Sequence, residues 1–299
     1  MGTPDFAVPA LNILVENGYD VAAVITATDK RGGRGNKKIL QSAVKKYALK
    51  KGLNVLQPKN LRAPEFVEEL KKLEADLQVV VAFRMLPKIV WAMPRYGTFN
   101  LHGSLLPRYR GAAPINWSII NGDKETGVTS FFIQQEIDTG DLLFQENMPI
   151  GENDTAGIIH DRMMILGAEV VLKTVQAIEK DEYDLQKQDD SLATKAPKIY
   201  RETCEINFDQ TTEKVHNFIR GLSPYPAAWT TLDGLQLKIL KTTKDLQSHE
   251  LKAGTIVSDN KKEIKIATQD GFVQVHELQL QGKKRLKTRD FLNGFSFSI

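Results

Sequence analysis

Leu77-Gln78-Val79-Val80-Val81-Ala82-Phe83 is a short apolar run, rich in β-branched residues, between acidic Asp76 and basic Arg84. A run of this length without polar alternation reads as a strand buried on both faces. Residues 21–26 (Val-Ala-Ala-Val-Ile-Thr) are a second such run. Amphipathic helices are predicted before them, at 6–17 and then at 42–51 and 63–73. Buried strands alternating with helices predict a Rossmann-like α/β domain with a parallel sheet covered on both faces. Ligands of such sheets bind beyond the carboxyl ends of the strands. The loop after Phe83 and the segment from Asn100 to Pro107 fall at such ends.

Further along, a long helix is predicted over 155–179, capped by Asn153 or Asp154. His160 on this helix reads as structural. Residues 181–197 are polar, lack periodicity and read as a linker. Beyond Pro197 the pattern changes to a short helix at 211–222 and five strands at 228–232, 235–240, 254–257, 264–268 and 271–280. Asp233-Gly234 and Asp270-Gly271 mark turns between them. These features predict a small OB-like β-barrel. The expected division is a catalytic domain at 1–180, a linker at 181–199 and a C-terminal domain at 200–299.

The chain has 299 residues, 41% apolar and 26% charged, which suits two soluble domains. No apolar run reaches the roughly 20 residues that span a bilayer. The segment Met1-Gly2-Thr3-Pro4-Asp5 lacks the pattern of a signal peptide. Cys204 is the single cysteine, so neither an intramolecular disulfide nor a cysteine metal site is available. His216, His249 and His276 lack metal-ligand spacing. A reducing cytoplasm is the expected compartment, and nothing demands more than a monomer. The net charge of +3 says little, but its distribution says more. Lys30, Arg31, Arg34, Lys37 and Lys38 form one basic cluster, interleaved with glycines. Lys283, Lys284, Arg285, Lys287 and Arg289 form another, without an acidic residue inside it. Two such loops suit a polyanion gripped at two points, or are simply solvated surface.

The chemistry concentrates in Asn100-Leu101-His102-Gly103-Ser104-Leu105-Leu106-Pro107. On an extended segment 97–102, Asn100 and His102 share one face. Such a pair can donate hydrogen bonds to a carbonyl oxygen as it gains charge. Asp138, in Ile137-Asp138-Thr139-Gly140-Asp141, supplies a base or an orienting charge. The three suffice for transfer of a one-carbon acyl group to an amine without a metal. No Gly-x-Ser-x-Gly elbow, Gly-x-Gly-x-x-Gly turn or phosphate loop is present. Serine-hydrolase and nicotinamide-oxidoreductase readings therefore lack their fingerprints.

The blocks Gly2-Thr3-Pro4-Asp5-Phe6-Ala7, His102 to Ile115 and Asp138-Thr139-Gly140-Asp141, with Gly221-Leu222-Ser223-Pro224-Tyr225-Pro226 and Gly282-Lys283-Lys284, together resemble the methionyl-tRNA formyltransferase family of folate-dependent formyltransferases. The resemblance covers essentially the whole chain. It implies transfer of the formyl group of 10-formyltetrahydrofolate to the α-amino group of methionine on initiator tRNA. By resemblance Asn100, His102 and Asp138 are the catalytic trio. Ser104, Leu105, Leu106 and Pro107, with Phe83 and Met85, are the folate contacts. The loop around Arg34, with Lys30, Arg31, Lys37 and Lys38, enters the acceptor end of the tRNA. Lys283, Lys284 and Arg285 belong to a C-terminal domain that holds tRNA phosphates. No metal is implied.

Two departures stand out. Family members carry an apolar strand just before the Gly-Thr-Pro segment, and here Met1 stands in its place. That strand is central, so its loss, from a start placed downstream or from truncation, is expected to lower stability. Residues 82–87 form a shorter and more basic loop than the family's glycine-containing version. A related formyltransferase acting on a small amine, such as a nucleotide-linked amino sugar, shares the trio but does not need both basic loops. A noncatalytic RNA-binding protein leaves the trio unexplained.

Overall fold

A computed structural model of the chain describes residues 1–33, 35 and 38–297. The chain forms two compact units, neither of them one continuous segment. The first comprises Met1–Gly111, Gly127–Met148 and His160–Lys195; the second comprises Ala112–Thr126, Pro149–Ile159 and the chain from Ala196 on.

A 3₁₀ turn at Asp5–Ala7 leads into α1 (Val8–Glu16), β1 (Val24–Ile25), a hairpin of β2 (Lys30–Gly32) and β3 (Lys38–Leu40), α2 (Ala43–Lys50) and β4 (Val55–Leu56). There follow α3 (Pro64–Lys72), β5 (Gln78–Val81), α4 (Lys88–Trp91), β6 (Thr98–His102) and β7 (Arg110–Gly111). Next come α5 (Pro114–Ile120), β8 (Glu125–Phe132), β9 (Leu142–Pro149), α6 (Ala156–Lys180) and β10 (Lys195–Ala196). Prolines in the first turns of α1, α3 and α5 fix φ where no donor is needed. The Ser42 hydroxyl caps α2 by accepting from the Lys45 amide at 3.0 Å.

Parallel pairing, expected of the sheet as a whole, is present: β1 lies beside β4, a strand not expected from the sequence, and β5 lies beside β6 with Gln78 opposite Thr98. Gly2 N–H donates to the Ile25 carbonyl at 3.1 Å, and Val81 N–H donates to the Met1 carbonyl at 2.9 Å. Met1 and Gly2 thus bridge β1 and β5, in the place expected for the family's central strand. The sheet is not wholly parallel, because β8 runs antiparallel to β6 and β9 lies beyond β8. These two strands are joined by only 133–141, too short for the crossover that a parallel pair needs. Ile25, Leu56, Phe66, Leu70, Val80 and Val90 form one apolar core of the first unit.

In the second unit α7 (Thr212–Leu222) lays Val215, Ile219 and Leu222 into the apolar core of an antiparallel sheet. The strands are β11 (Ala228–Leu232), β12 (Leu235–Asp245), β13 (Ile256–Ser258), β14 (Ile264–Ala267), β15 (Phe272–Leu280) and β16 (Leu286–Lys287), followed by α8 (Thr288–Leu292). Their order is β11-β12-β15-β14-β13, with β16 also beside β15. Asp233 and Gly234 both have positive φ, +49° and +75°, as a two-residue hairpin turn requires. The expected barrel is an open, curled sheet, a half-barrel. The outer side of β11 takes a bridge from Glu205 to Trp229 instead of closing on β13.

Residues 181–197 are more than a connector. Gln186 exchanges backbone hydrogen bonds with Leu142, Asp190–Leu192 form a 3₁₀ turn, and β10 pairs with β7.

Candidate active site

Strand β6 sets the site. Its alternation places Asn100 opposite Phe131 and His102 opposite Thr129, two residues apart on one face. His102 is buried and Asn100 half-buried. Among the described residues the Asn100 amide makes no hydrogen bond, so its donors are available to a ligand. His102 Nε2 lies 2.8 Å from the Tyr109 carbonyl oxygen. A carbonyl only accepts, so the proton sits on Nε2 and Nδ1 is left as the open ring atom. Nδ1 lies 3.8 Å from Asp138 Oδ2. That distance is too long for a hydrogen bond, but it leaves a proton taken up at Nδ1 facing a carboxylate. The same Oδ2 accepts from Gly111 N–H at 2.9 Å. The trio expected from the sequence is therefore brought together.

Two backbone positions around the pair are strained. Tyr109 has φ +63° and Asp138 φ +57°, left-handed values that non-glycine residues adopt only when neighbours hold them. Tyr109 is held by its N–H, which donates to Thr194 Oγ1 at 2.8 Å. Gln188 Nε2 donates to the carbonyls of Asp138 and Gly140 at 2.9 and 2.8 Å. A side chain at Gly140 would run into the Phe132 carbonyl, so the loop needs glycine there. Tyr109, Gln188 and Thr194 were missed by the sequence reading. Their roles rest on contacts across long sequence separations, which leave no local pattern.

The Ser104–Pro107 loop is braced from below. Ser104 Oγ donates to the Arg108 carbonyl at 2.6 Å, and Thr129 Oγ1 donates to the Ser104 carbonyl at 2.7 Å. Gln145 Nε2 donates to the Leu106 carbonyl at 2.7 Å. Leu106 is buried with Phe131 and Leu142, while Leu105 and Pro107 are half-buried. Of the other expected folate contacts, Phe83 packs beside the core under β5 and Met85 is exposed. The basic residue of this loop is used structurally. The Arg84 guanidinium donates to the Lys59 carbonyl at 2.9 Å, and also to the Pro58 carbonyl.

Lys30 and Arg31 on β2 and Lys38 on β3 are exposed on one hairpin. Arg34 and Lys37 lie outside the described residues. Lys283 and Lys284 are exposed between β15 and β16. Arg285 differs from expectation: the fold brings Glu277 onto its guanidinium, so the cluster is not free of acids in space. Lys287 and Arg289, with Lys241, Lys262 and His276, line a cavity of about 310 Å³. Among the described residues no group of three or more His, Cys, Asp or Glu is placed to hold a metal. None of their helices is long and apolar enough to cross a membrane.

Residues 1–175 match the family model described as formyl transferase, and residues 198–296 match that described as formyl transferase, C-terminal domain. A methionyl-tRNA formyltransferase of Bacteroides thetaiotaomicron is 54% identical over 307 aligned residues, covering 100% of this chain and 95% of the relative. One of Flavobacterium johnsoniae is 51% identical over 303, covering 100% and 96%. Among solved structures, the sugar 3N-formyl transferase WlaRD, crystallised in the presence of dTDP and 5-N-formyl-THF, has a TM-score of 0.69. It is 23% identical and covers 95% of this chain and 97% of its own, a likeness that shows the fold.

Proposed function

The chain belongs to the formyl transferase family, and on that premise we propose that it transfers the formyl group of 10-formyltetrahydrofolate to the α-amino group of methionyl-tRNA, initiator tRNA being the acceptor. The observation that carries the chemistry is the unpartnered Asn100 amide on the same strand face as the His102–Asp138 pair. The acceptor is supported by relatives of that name that match the chain from end to end. An acceptor used in translation initiation supports a cytoplasmic location for the enzyme.

The residues at the end of β6 fit the donor. Asn100 offers free N–H groups for a formyl oxygen, and Leu105, Pro107, Phe83 and Met85 offer apolar surface for a ring. When bound, the folate supplies a formyl group on a nitrogen that can leave. Asn100 donates to the formyl oxygen as it gains charge and does so without titrating. His102 Nδ1 takes the proton that the attacking amine must lose and returns it to the folate nitrogen as the bond from that nitrogen to the formyl carbon breaks. Asp138 carries the countercharge 3.8 Å away, and the Tyr109 carbonyl keeps the ring in the Nε2–H tautomer that leaves Nδ1 open. Lys30, Arg31, Lys38, Lys283 and Lys284 hold tRNA phosphates, which give affinity more than sequence discrimination.

The test is formyl transfer to charged initiator methionyl-tRNA, with uncharged tRNA, free methionine and a dTDP-linked amino sugar as controls. Transfer to the charged tRNA alone is expected; transfer to the amino sugar alone overturns the acceptor. Asn100→Asp keeps the size but removes the donor. It should lower kcat by about 10²- to 10³-fold with little change in KM for the folate.

A further inference from the structure

We propose that Gln188 is a positioning residue for Asp138, so that the polar stretch 186–195 is part of the catalytic apparatus; this rests on the formyl-transfer reading above. The amide orientation of Gln188 is fixed by its partners. Nε2 faces two carbonyl oxygens, of Asp138 and Gly140, so it must be the donor end. Oε1 accepts from Arg110 Nε at 3.1 Å and from Arg110 Nη2 at 2.7 Å, so it must be the acceptor end. Arg110 Nη2 also reaches Asp190 Oδ1 at 2.7 Å.

Gln188 thus fastens both sides of the turn at Thr139, where Asp138 is held at φ +57°. A left-handed aspartate is costly without such a clamp. Released, the loop would relax and carry the carboxylate away from Gly111 N–H and His102 Nδ1. The same stretch holds the other half of the pair. Thr194 Oγ1 accepts from Tyr109 N–H, and the Tyr109 carbonyl accepts from His102. One strap therefore sets the 3.8 Å gap from both ends.

The experiment uses the full chain and the variants Gln188→Ala, Gln188→Glu and Asp138→Asn, with the double variant. Gln188→Ala should lower kcat about tenfold or more while KM for the formyl donor stays within about threefold. Gln188→Glu keeps an acceptor for Arg110 but cannot donate to the two carbonyls, so it should not restore the rate. In the Asp138→Asn background Gln188→Ala should cost less than about twofold further. Losses that multiply, or a Gln188→Glu enzyme as fast as the wild type, overturn the proposal. The second readout does not depend on the acceptor. The Gly111 amide donates to Asp138 Oδ2, so its ¹⁵N shift and exchange rate report whether the carboxylate is in place. Both should change in Gln188→Ala and in Gln188→Glu; an unchanged Gly111 amide in either folded variant overturns the proposal. A wild type that transfers nothing to methionyl-tRNA defeats the functional reading, and the Gly111 amide still decides the role of Gln188.

Discussion

Two buried histidines differ in how their ring nitrogens are partnered. His216 has both nitrogens occupied: Nδ1 lies 2.9 Å from Thr242 Oγ1 and Nε2 lies 3.3 Å from the Glu152 carbonyl. His102 has Nε2 occupied and Nδ1 open toward Asp138. Burial, opposed in part by the Glu152 carbonyl and reinforced by the nearby Arg220 and Lys244 charges, pushes His216 below its ordinary 6.5. The unfolded chain therefore takes up a proton near pH 6.5 that the folded state resists. Stability contributed by neutral His216 is present above that pH and is lost as pH falls through it toward the folded value. Asp270 acts in the same direction lower down. The Thr212 N–H holds it below its ordinary 3.8, so its contribution is lost as pH falls below that value. Urea unfolding followed by tryptophan fluorescence should show stability falling as pH drops below about 6.5, by at most about 1.4 kcal/mol per pH unit for each of the two protons that His216 and His276 resist, burial pushing His276 down as well. His216→Gln should flatten that slope; an unchanged slope rules out His216 as its source.

Close approach of α5 and α7 fixes the position of elements in the second unit. A Cβ on Gly221 would lie 2.6 Å from Ile120 Cγ1 and 3.2 Å from the Asn116 carbonyl oxygen. Asn116 Nδ2 also donates to the Gly221 carbonyl at 2.7 Å. Gly221→Ala should force the helices apart and cost about 1–3 kcal/mol, read as a lower urea midpoint at constant m. The existence of both helices was legible in the sequence: the short one expected at 211–222 is Thr212–Leu222, and the long one expected at 155–179 is Ala156–Lys180. The cap of the longer helix was misassigned, because Thr155 Oγ1 accepts from Ile158 N–H at 3.3 Å in place of the expected Asn153 or Asp154. A repeating apolar stripe is a local signal. The face shared by Asn100 and His102 was legible for the same reason, because alternation along a strand needs no partner. Closure of the C-terminal sheet was not legible. Whether β11 meets β13 or Glu205 depends on pairing between distant segments, and no residue within either strand records it. The strap at 181–197 looked like a linker because its bonds run from side chains to backbone groups about fifty residues away. Polarity without period marks a solvated connector and a hydrogen-bonded clamp alike.

At the scale of the molecule, recognition of a large anion depends on which cations remain unneutralised by the fold. The sequence grouped Lys283, Lys284 and Arg285 together, but Arg285 Nε donates to Glu277 Oε2 at 2.7 Å and its charge is already answered. Lys283 and Lys284 are exposed beside it. On the first unit Lys30 and Arg31 are exposed on β2. Each cation that neutralises a phosphate releases counterions, at a slope of about 0.7–0.9 in log K against log salt. Lys283→Gln with Lys284→Gln should therefore raise KM for methionyl-tRNA and lower the salt slope by about 1–2, leaving KM for the folate unchanged. Lys30→Gln with Arg31→Gln should do the same, and the two losses should add in log KM, as expected of independent sites far apart in the chain. Arg285→Gln should change the slope less than either lysine does alone, because it gives up an ion pair within the protein rather than a contact with the nucleic acid. Binding measured by filter retention across a salt series distinguishes these outcomes. An Arg285→Gln effect as large as that of Lys283→Gln would mean that Glu277 releases the guanidinium when the nucleic acid binds.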